Sequence, residues 1–277
     1  VIPAVTPLLT ADKLAELKEA GVDQLALSLD AADAHTHDDF RKTPGVFDRT
    51  LEAVRQARQI GLAVQINSLV NVHNLDRFDA LIGLVEELPI VFWEIFFLVP
   101  TGRGKDLPML EAQLFDEAFA RIYALQQRAH FVIKVTEAMH YRKYCLDREP
   151  ACAQEPPTLA PQMPAMLRRQ SGPGGSIGHA PMGVNSGKGF VFVSCTGEIM
   201  PSGFLPLPAG NIKIDDLGNI YRNAPLFKAL RDTSLLKGKC GICSYKDLCG
   251  GSRSRAWALT GDYLAADPCC SYQPPTA

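Results

Sequence analysis

Cys240-Gly241-Ile242-Cys243, then Cys249, then the adjacent pair Cys269-Cys270 set thiols at C-x2-C-x5-C with a fourth returning from the tail. Core packing has no need of such spacing; a thiolate cage does. Two chemistries use one: an iron–sulfur cluster and a tetrahedral zinc ion, and spacing alone does not separate them. C-x2-C places two sulfurs on one tight turn. Gly241 and Gly250 are expected to leave backbone room around a metal, with N–H groups pointing at sulfur. Lys239, Lys246 and Arg253 are expected to favour the thiolate form and to offset the charge of whatever is bound. Cys269 and Cys270 point apart in an extended segment, so one of them ligates. Cys145 and Cys152 fit no common cage and read as structural or incidental.

A disulfide framework is the weaker account. The chain shows no secretory signature, and five of its eight cysteines crowd the last forty residues instead of spreading to staple a small fold. A reducing, cytoplasmic setting is the expectation. At 277 residues the chain suffices for one large domain, or a medium and a small one, and 47% hydrophobic content gives it a core. A net charge of −2 leaves no electrostatic footprint for nucleic acid or an acidic membrane surface. No apolar run in the sequence is long enough to span a bilayer.

The elements that must position these groups alternate. Thr10 reads as an N-cap, with Leu14 and Leu17 on one helical face and Gly21 as a stop. A strand follows over 25–30. Val46, Thr50, Ala53, Ala57 and Ile60 recur at helical spacing up to Gly61, and the next strand covers 62–67. A helix over 75–88 leads to an almost wholly apolar strand, 90–99, expected to be covered on both faces. The turn 100–104, a helix over 109–129 and a strand over 131–136 complete the alternation. Repeated strand–helix–strand units imply a parallel sheet, whose C-terminal strand edge binds ligands. Ser28, Asp30, Asn67 and the Gly102 turn gather there; singly, each could merely finish a strand. Regularity dissolves over 137–188, which is rich in proline and glycine. A hairpin over 189–194 and 198–200 and a short helix over 224–230 precede the thiols. The expected organisation is an α/β domain at 1–136, a connection at 137–188 and a small thiol-bearing domain at 189–277. Residues 1–5 read as the end of a strand, which gives the expectation of a fragment lacking its N-terminal portion.

Together these motifs carry a resemblance. Ser28-Leu29-Asp30, His37-Asp38-Asp39-Phe40-Arg41 and Gly45 with Phe47 resemble a strand and loop of radical S-adenosylmethionine (radical SAM) enzymes. The run from Phe96 to Gly104 is similar to their last barrel strand in a heme-maturation-like branch. Ser202-Gly203-Phe204, Gly210-Asn211-Ile212 and Cys240-x2-Cys243-x5-Cys249-Gly250-Gly251 resemble the C-terminal SPASM or twitch extension.

The resemblance implies a partial (β/α)6 barrel lacking its first strands, followed by the small extension. It implies an oxidoreductase or maturase that cleaves S-adenosylmethionine to a 5′-deoxyadenosyl radical. The substrate class is a tetrapyrrole or a peptide, with a slight lean to the former, and the electron donor a flavodoxin or ferredoxin. A 4Fe-4S cluster on a C-x3-C-x2-C loop generates the radical in that family. No such motif occurs in this sequence, so the chain alone is expected to be inactive and the loop to lie in the missing portion. One auxiliary 4Fe-4S cluster is implied, not two, because Arg253 and Ser202 stand where further thiols are common; Cys195 is not counted as a ligand. The family's Asp-Pro-x pattern before its last thiol selects Cys270, so the ligand set is Cys240, Cys243, Cys249 and Cys270. By the same resemblance Ser28, Asn67, Val99, Gly102 and Arg103 contact S-adenosylmethionine, the Val99 backbone pairing with adenine. His37 and Arg41 order their loop, bind the cofactor carboxylate, or form an ordinary surface ion pair. The alternative to an enzyme is a non-enzymatic zinc or iron–sulfur module for structure or electron transfer.

Overall fold

The computed structural model describes residues 1–148 and 184–275. They fall into two compact units.

Val1–Phe97 and Ala120–Thr136 belong to the first unit. Its sheet has four parallel strands, β1 (Gln24–Ser28), β2 (Ala63–Val70), β3 (Phe92–Phe97) and β4 (Val132–Thr136), in that spatial order. Alternation along β2 and β3 divides the sheet into two faces. Val64, Ile66, Val70, Trp93, Ile95 and Phe97 are buried, whereas Gln65, Asn67, Glu94 and Phe96 are only half-buried. Glu94 gives the second face of β3 a polar member, while residues 90–99 are all buried or half-buried. On the covered face Trp93 Nε1 donates to Ser68 Oγ at 2.9 Å, between the rings of Phe78 and Phe131.

The helices of this unit are α1 (Ala11–Glu19), α2 (Ala34–Arg41), α3 (Val46–Gln59) and α4 (Phe78–Glu87). Thr10 caps α1 by accepting from the Lys13 N–H, as its position suggested. Residues 37–41, read by resemblance as part of a loop, lie in α2, which forms because Asp33 caps the first turn and Lys42 closes the last in a left-handed conformation. Leu75 lies in a turn ahead of α4, not within it. No strand forms at 1–5, although the Val1 amino group and carbonyl bond Gln24 and Ala26 along the outer edge of β1.

The second unit takes Leu98–Phe119, 137–148 and 184–275; helix α5 (Ala112–Gln126) is divided between the two. The turn expected at 100–104 is a 3-10 helix, Gly102–Asp106. Part of the stretch expected to be irregular forms α6 (Tyr141–Leu146); the rest of it, with Cys152 and the prolines, lies outside the described residues. The expected hairpin is β5 (Phe192–Val193) and β6 (Glu198–Met200), and β7 (Gly210–Asn211) adds an unanticipated third antiparallel strand. Four helices follow: α7 (Leu217–Asn223), α8 (Pro225–Arg231), α9 (Gly238–Gly241) and α10 (Arg253–Thr260). Ile199, Leu205, Phe227 and Leu230 form a small apolar core. No helix among the described residues is long and apolar enough to cross a membrane.

Candidate metal centre

The C-x2-C pair begins on α9, a single turn carrying Cys240. Gly241 is required there for packing, since a Cβ would lie 2.2 Å from the Leu236 carbonyl oxygen; its role is to admit the preceding backbone, not a metal. Bonds from Lys246 N–H to the Cys243 carbonyl and from Cys249 N–H to the Tyr245 carbonyl close the loop onto Cys249. Gly250 and Gly251 then both take positive φ, and Ser252 caps α10. Gly251 is the glycine pressed against a thiol: a Cβ there would sit 3.3 Å from Cys240 Sγ and 2.8 Å from Asp267 Cβ.

Cys240, Cys243, Cys249 and Cys270 line one cavity that opens to solvent, together with His140, Lys143, Lys239, Tyr245, Lys246 and Tyr272. Cys269 is not among the lining residues; it is buried, with its sulfur 3.9 Å from the Leu110 carbonyl oxygen. Cys195 is exposed and stands apart from the cavity, and Cys145 lies on α6. Backbone N–H groups donate to sulfur, Gly251 to Cys249 at 3.3 Å and Asp267 to Cys240 at 3.4 Å. The Arg253 guanidinium lies 3.9 Å from Cys240 Sγ while donating to the Tyr263 and Ala265 carbonyls.

Burial dominates the electrostatics of Cys249 and Cys270. It pushes Cys249 up to about 12 and Cys270 up to about 11, and neighbouring thiols reinforce both shifts. Lys239 opposes the shift at Cys270 without overcoming it, so the expected cationic activation loses to desolvation there. A pocket that disfavours bare thiolates, yet aims N–H donors at sulfur, suits a bound cation that would replace the protons, an iron–sulfide core or a zinc ion. Among the described residues no three His, Cys, Asp or Glu side chains converge tightly enough for a single ion. Four thiols around one cavity are a donor set that an iron–sulfur cluster or a zinc ion can use.

A buried polar scaffold holds the loop. Arg255, fully buried, donates to both Asp267 carboxylate oxygens at 3.3 and 3.0 Å, to the Leu98 carbonyl at 3.1 Å and to the Glu137 carbonyl. Asp267 also accepts from the Ser252 and Cys269 N–H groups. Burial alone would raise the Asp267 carboxyl, but the Arg255 charge, helped by the Ser252 and Cys269 N–H groups, brings it below its ordinary value. Glu137, at a left-handed φ of 60°, accepts from the Ser252 and Ser254 hydroxyls, and burial raises its carboxyl. Asn185 donates to the Gly251 carbonyl at 2.6 Å. Arg142 on α6 donates to the Leu248 and Val184 carbonyls. His140, the residue before α6, packs between Phe115 and Phe119 with ring centroids 5.2 and 4.8 Å away. Burial lowers it to about 4.

Sequence reasoning passed over this scaffold. A lone histidine, and an arginine such as Arg255 two residues beyond Arg253 among serines, look in the sequence like side chains that face water. The one available signal was proximity in sequence to the glycine pair and to Asp267-Pro268.

In the first unit Ser28 and Asn67 are register partners on β1 and β2. Asn67 Oδ1 accepts from Gln65 Nε2, which also donates to Glu94; Glu94 in turn accepts from Thr136 and pairs with Lys134 at 2.7 Å. His37 and Arg41 both serve Asp30: His37 Nδ1 accepts the Asp30 N–H, and Arg41 donates to its carboxylate. In the second unit the Val99 carbonyl accepts from the Thr101 N–H, and Gly102 and Arg103 are exposed.

Comparison with known proteins places these features in context. A profile described as the Radical SAM superfamily matches residues 3–85. The chain is 38% identical over 267 residues to an AdoMet-dependent heme synthase of Methanosarcina barkeri, covering 96% of this chain and 72% of that protein. It is 35% identical over 272 residues to another from Nitratidesulfovibrio vulgaris, covering 96% and 70%. In fold it is similar to Streptococcus suis SuiB bound to S-adenosylmethionine, with a TM-score of 0.58 and 15% identity over 90% of this chain and 54% of that one.

Proposed function

The chain belongs to the radical SAM superfamily, a family of enzymes, and we propose that it works on a tetrapyrrole with the help of one auxiliary 4Fe-4S cluster. The first unit is read as part of the radical-generating barrel, and the thiol-bearing unit as a SPASM- or twitch-like extension. The observation that carries the substrate class is likeness along 96% of the chain to two heme synthases. More distant relatives include a PqqA peptide cyclase, 27% identical over 274 residues, which keeps peptides as the second class.

Cys240, Cys243, Cys249 and Cys270 would hold the auxiliary cluster, which supplies one-electron transfer when bound. This chain's own residues do the rest. Gly251 and Asp267 direct N–H groups at sulfur. Arg255 fixes the tail by gripping Asp267, so that Cys270 returns to the loop while Cys269 is turned away. On the sheet, Ser28 and Asn67 offer polar groups from adjacent strands toward S-adenosylmethionine; Val99, Gly102 and Arg103 are the further contacts proposed from the family. A flavodoxin or ferredoxin is the proposed electron donor.

The test uses an enzyme comprising this chain and a C-x3-C-x2-C loop, reconstituted without oxygen. With S-adenosylmethionine and reductant, 5′-deoxyadenosine should form, and faster with an iron porphyrin than with a precursor peptide. No 5′-deoxyadenosine under any condition would reject the enzyme reading, and stimulation by peptide alone would reject the tetrapyrrole.

A further inference from the structure

His140 has a burial that nothing described around it explains. The residue is 4% exposed, and among the described residues neither ring nitrogen has a hydrogen-bond partner. His37 is as deeply buried, but its Nδ1 accepts the Asp30 N–H. A buried imidazole with both nitrogens idle forfeits its hydration without return, and such groups usually mark an unfilled partner. His140 has one candidate within its surroundings, because it lines the same cavity as Cys240, Cys243, Cys249 and Cys270.

We propose that His140 donates a ring N–H to a sulfur of the auxiliary cluster and thereby raises that cluster's reduction potential. An imidazole in any protonation state carries at least one N–H. Four thiols already line the cavity, so a donor, not a fifth ligand, is the role left open. Hydrogen bonds to cluster sulfurs stabilise the more negative, reduced state. The position is held from two sides. The His140 carbonyl accepts from the Tyr144 N–H at the start of α6, and the Phe115 and Phe119 rings leave the imidazole little freedom to turn. His140 is thus a positioning and tuning residue for electron transfer; it rests on the proposed function in needing a cluster at these thiols.

The experiment labels histidine ring nitrogens with 15N in the reconstituted, reduced protein and reads electron–nuclear couplings beside its iron and sulfide content. A weak 15N coupling with an exchangeable proton is expected, and it should vanish in His140→Phe. In that variant the midpoint should fall by roughly tenfold in the one-electron equilibrium, about 59 mV. His140→Gln, which keeps an N–H donor, should recover part of the shift. Should His140→Phe fail to fold, the labelled unaltered protein still decides. Full iron and sulfide with no histidine coupling, or with the large coupling of direct iron ligation, would overturn the assignment alone. Absence of iron would overturn it together with the function on which it rests.

Discussion

Asp30 and Asp267 solve one problem in two ways. Each is a buried carboxylate that accepts a backbone N–H and an arginine. Asp30, just beyond β1, is served by Leu69 of the adjacent β2 and by Arg41, whose side chain is 36% exposed. Asp267 pairs with Arg255, which is fully buried and also donates to the Leu98 and Glu137 carbonyls. Around Asp30 a sheet with its own ladder carries the fold and the ion pair adjusts it. In the thiol-bearing unit the strands are short, and a buried polar network takes the place of an extended ladder. Removing a partner should therefore cost far more at Asp267 than at Asp30.

The largest effect is expected from Arg255→Met, which leaves the Asp267 charge buried without a cation. Breaking a buried pair from one side costs about 3–5 kcal/mol. Urea denaturation should show this loss; a change below about 1 kcal/mol, the range of an exposed pair, would erase the contrast between the units. Next come the thiols. Cys270→Ser should release most of the bound iron, whereas Cys269→Ser should retain it, as elemental analysis would reveal. Equal losses would mean that the turn after Asp267 does not select between them. Asp30→Asn keeps an acceptor for the Leu69 N–H and should lower stability by about 1–3 kcal/mol.

A pH series sharpens the comparison further. Burial is the leading cause that lowers His37 below its ordinary value. The unfolded chain then takes up the proton first, so this contribution is complete above about pH 6.5 and is lost as the pH falls below it. The urea midpoint should decline over that window, and less steeply in His37→Asn; parallel curves would remove His37 as the cause. Arg41→Ala should be mildest, about 0–1 kcal/mol, because its guanidinium stays partly in water.

What the sequence revealed follows the same division. Helical spacing located α3, whose buried face includes Val46, Thr50, Ala53 and Ala57, and the strand read over 62–67 is the first part of β2, with Asn67 half-buried where Val64 and Ile66 are buried. Periodicity is a local property, so a sheet unit is readable from it. Helix α2 escaped because Ala34–Arg41 has no apolar repeat, and only His37 within it is buried. The thiols announced themselves by spacing. The side chains that hold them did not: Arg255 meets Glu137 across 118 positions and Asn185 meets Gly251 across 66. Long-range polar contacts leave no period, and a buried arginine in Ser252-Arg253-Ser254-Arg255 looks in sequence like a solvated one. His140 fell within a stretch expected to be irregular, where nothing set it apart.

The most direct measurement is metal and acid-labile sulfide analysis of this chain purified and reconstituted without oxygen, with absorption spectra alongside. The account predicts a brown protein with about four irons and four sulfides per chain, the 4Fe-4S stoichiometry of a site with four cysteine ligands. A colourless protein holding one zinc at the same thiols, or thiols joined as disulfides, would contradict it.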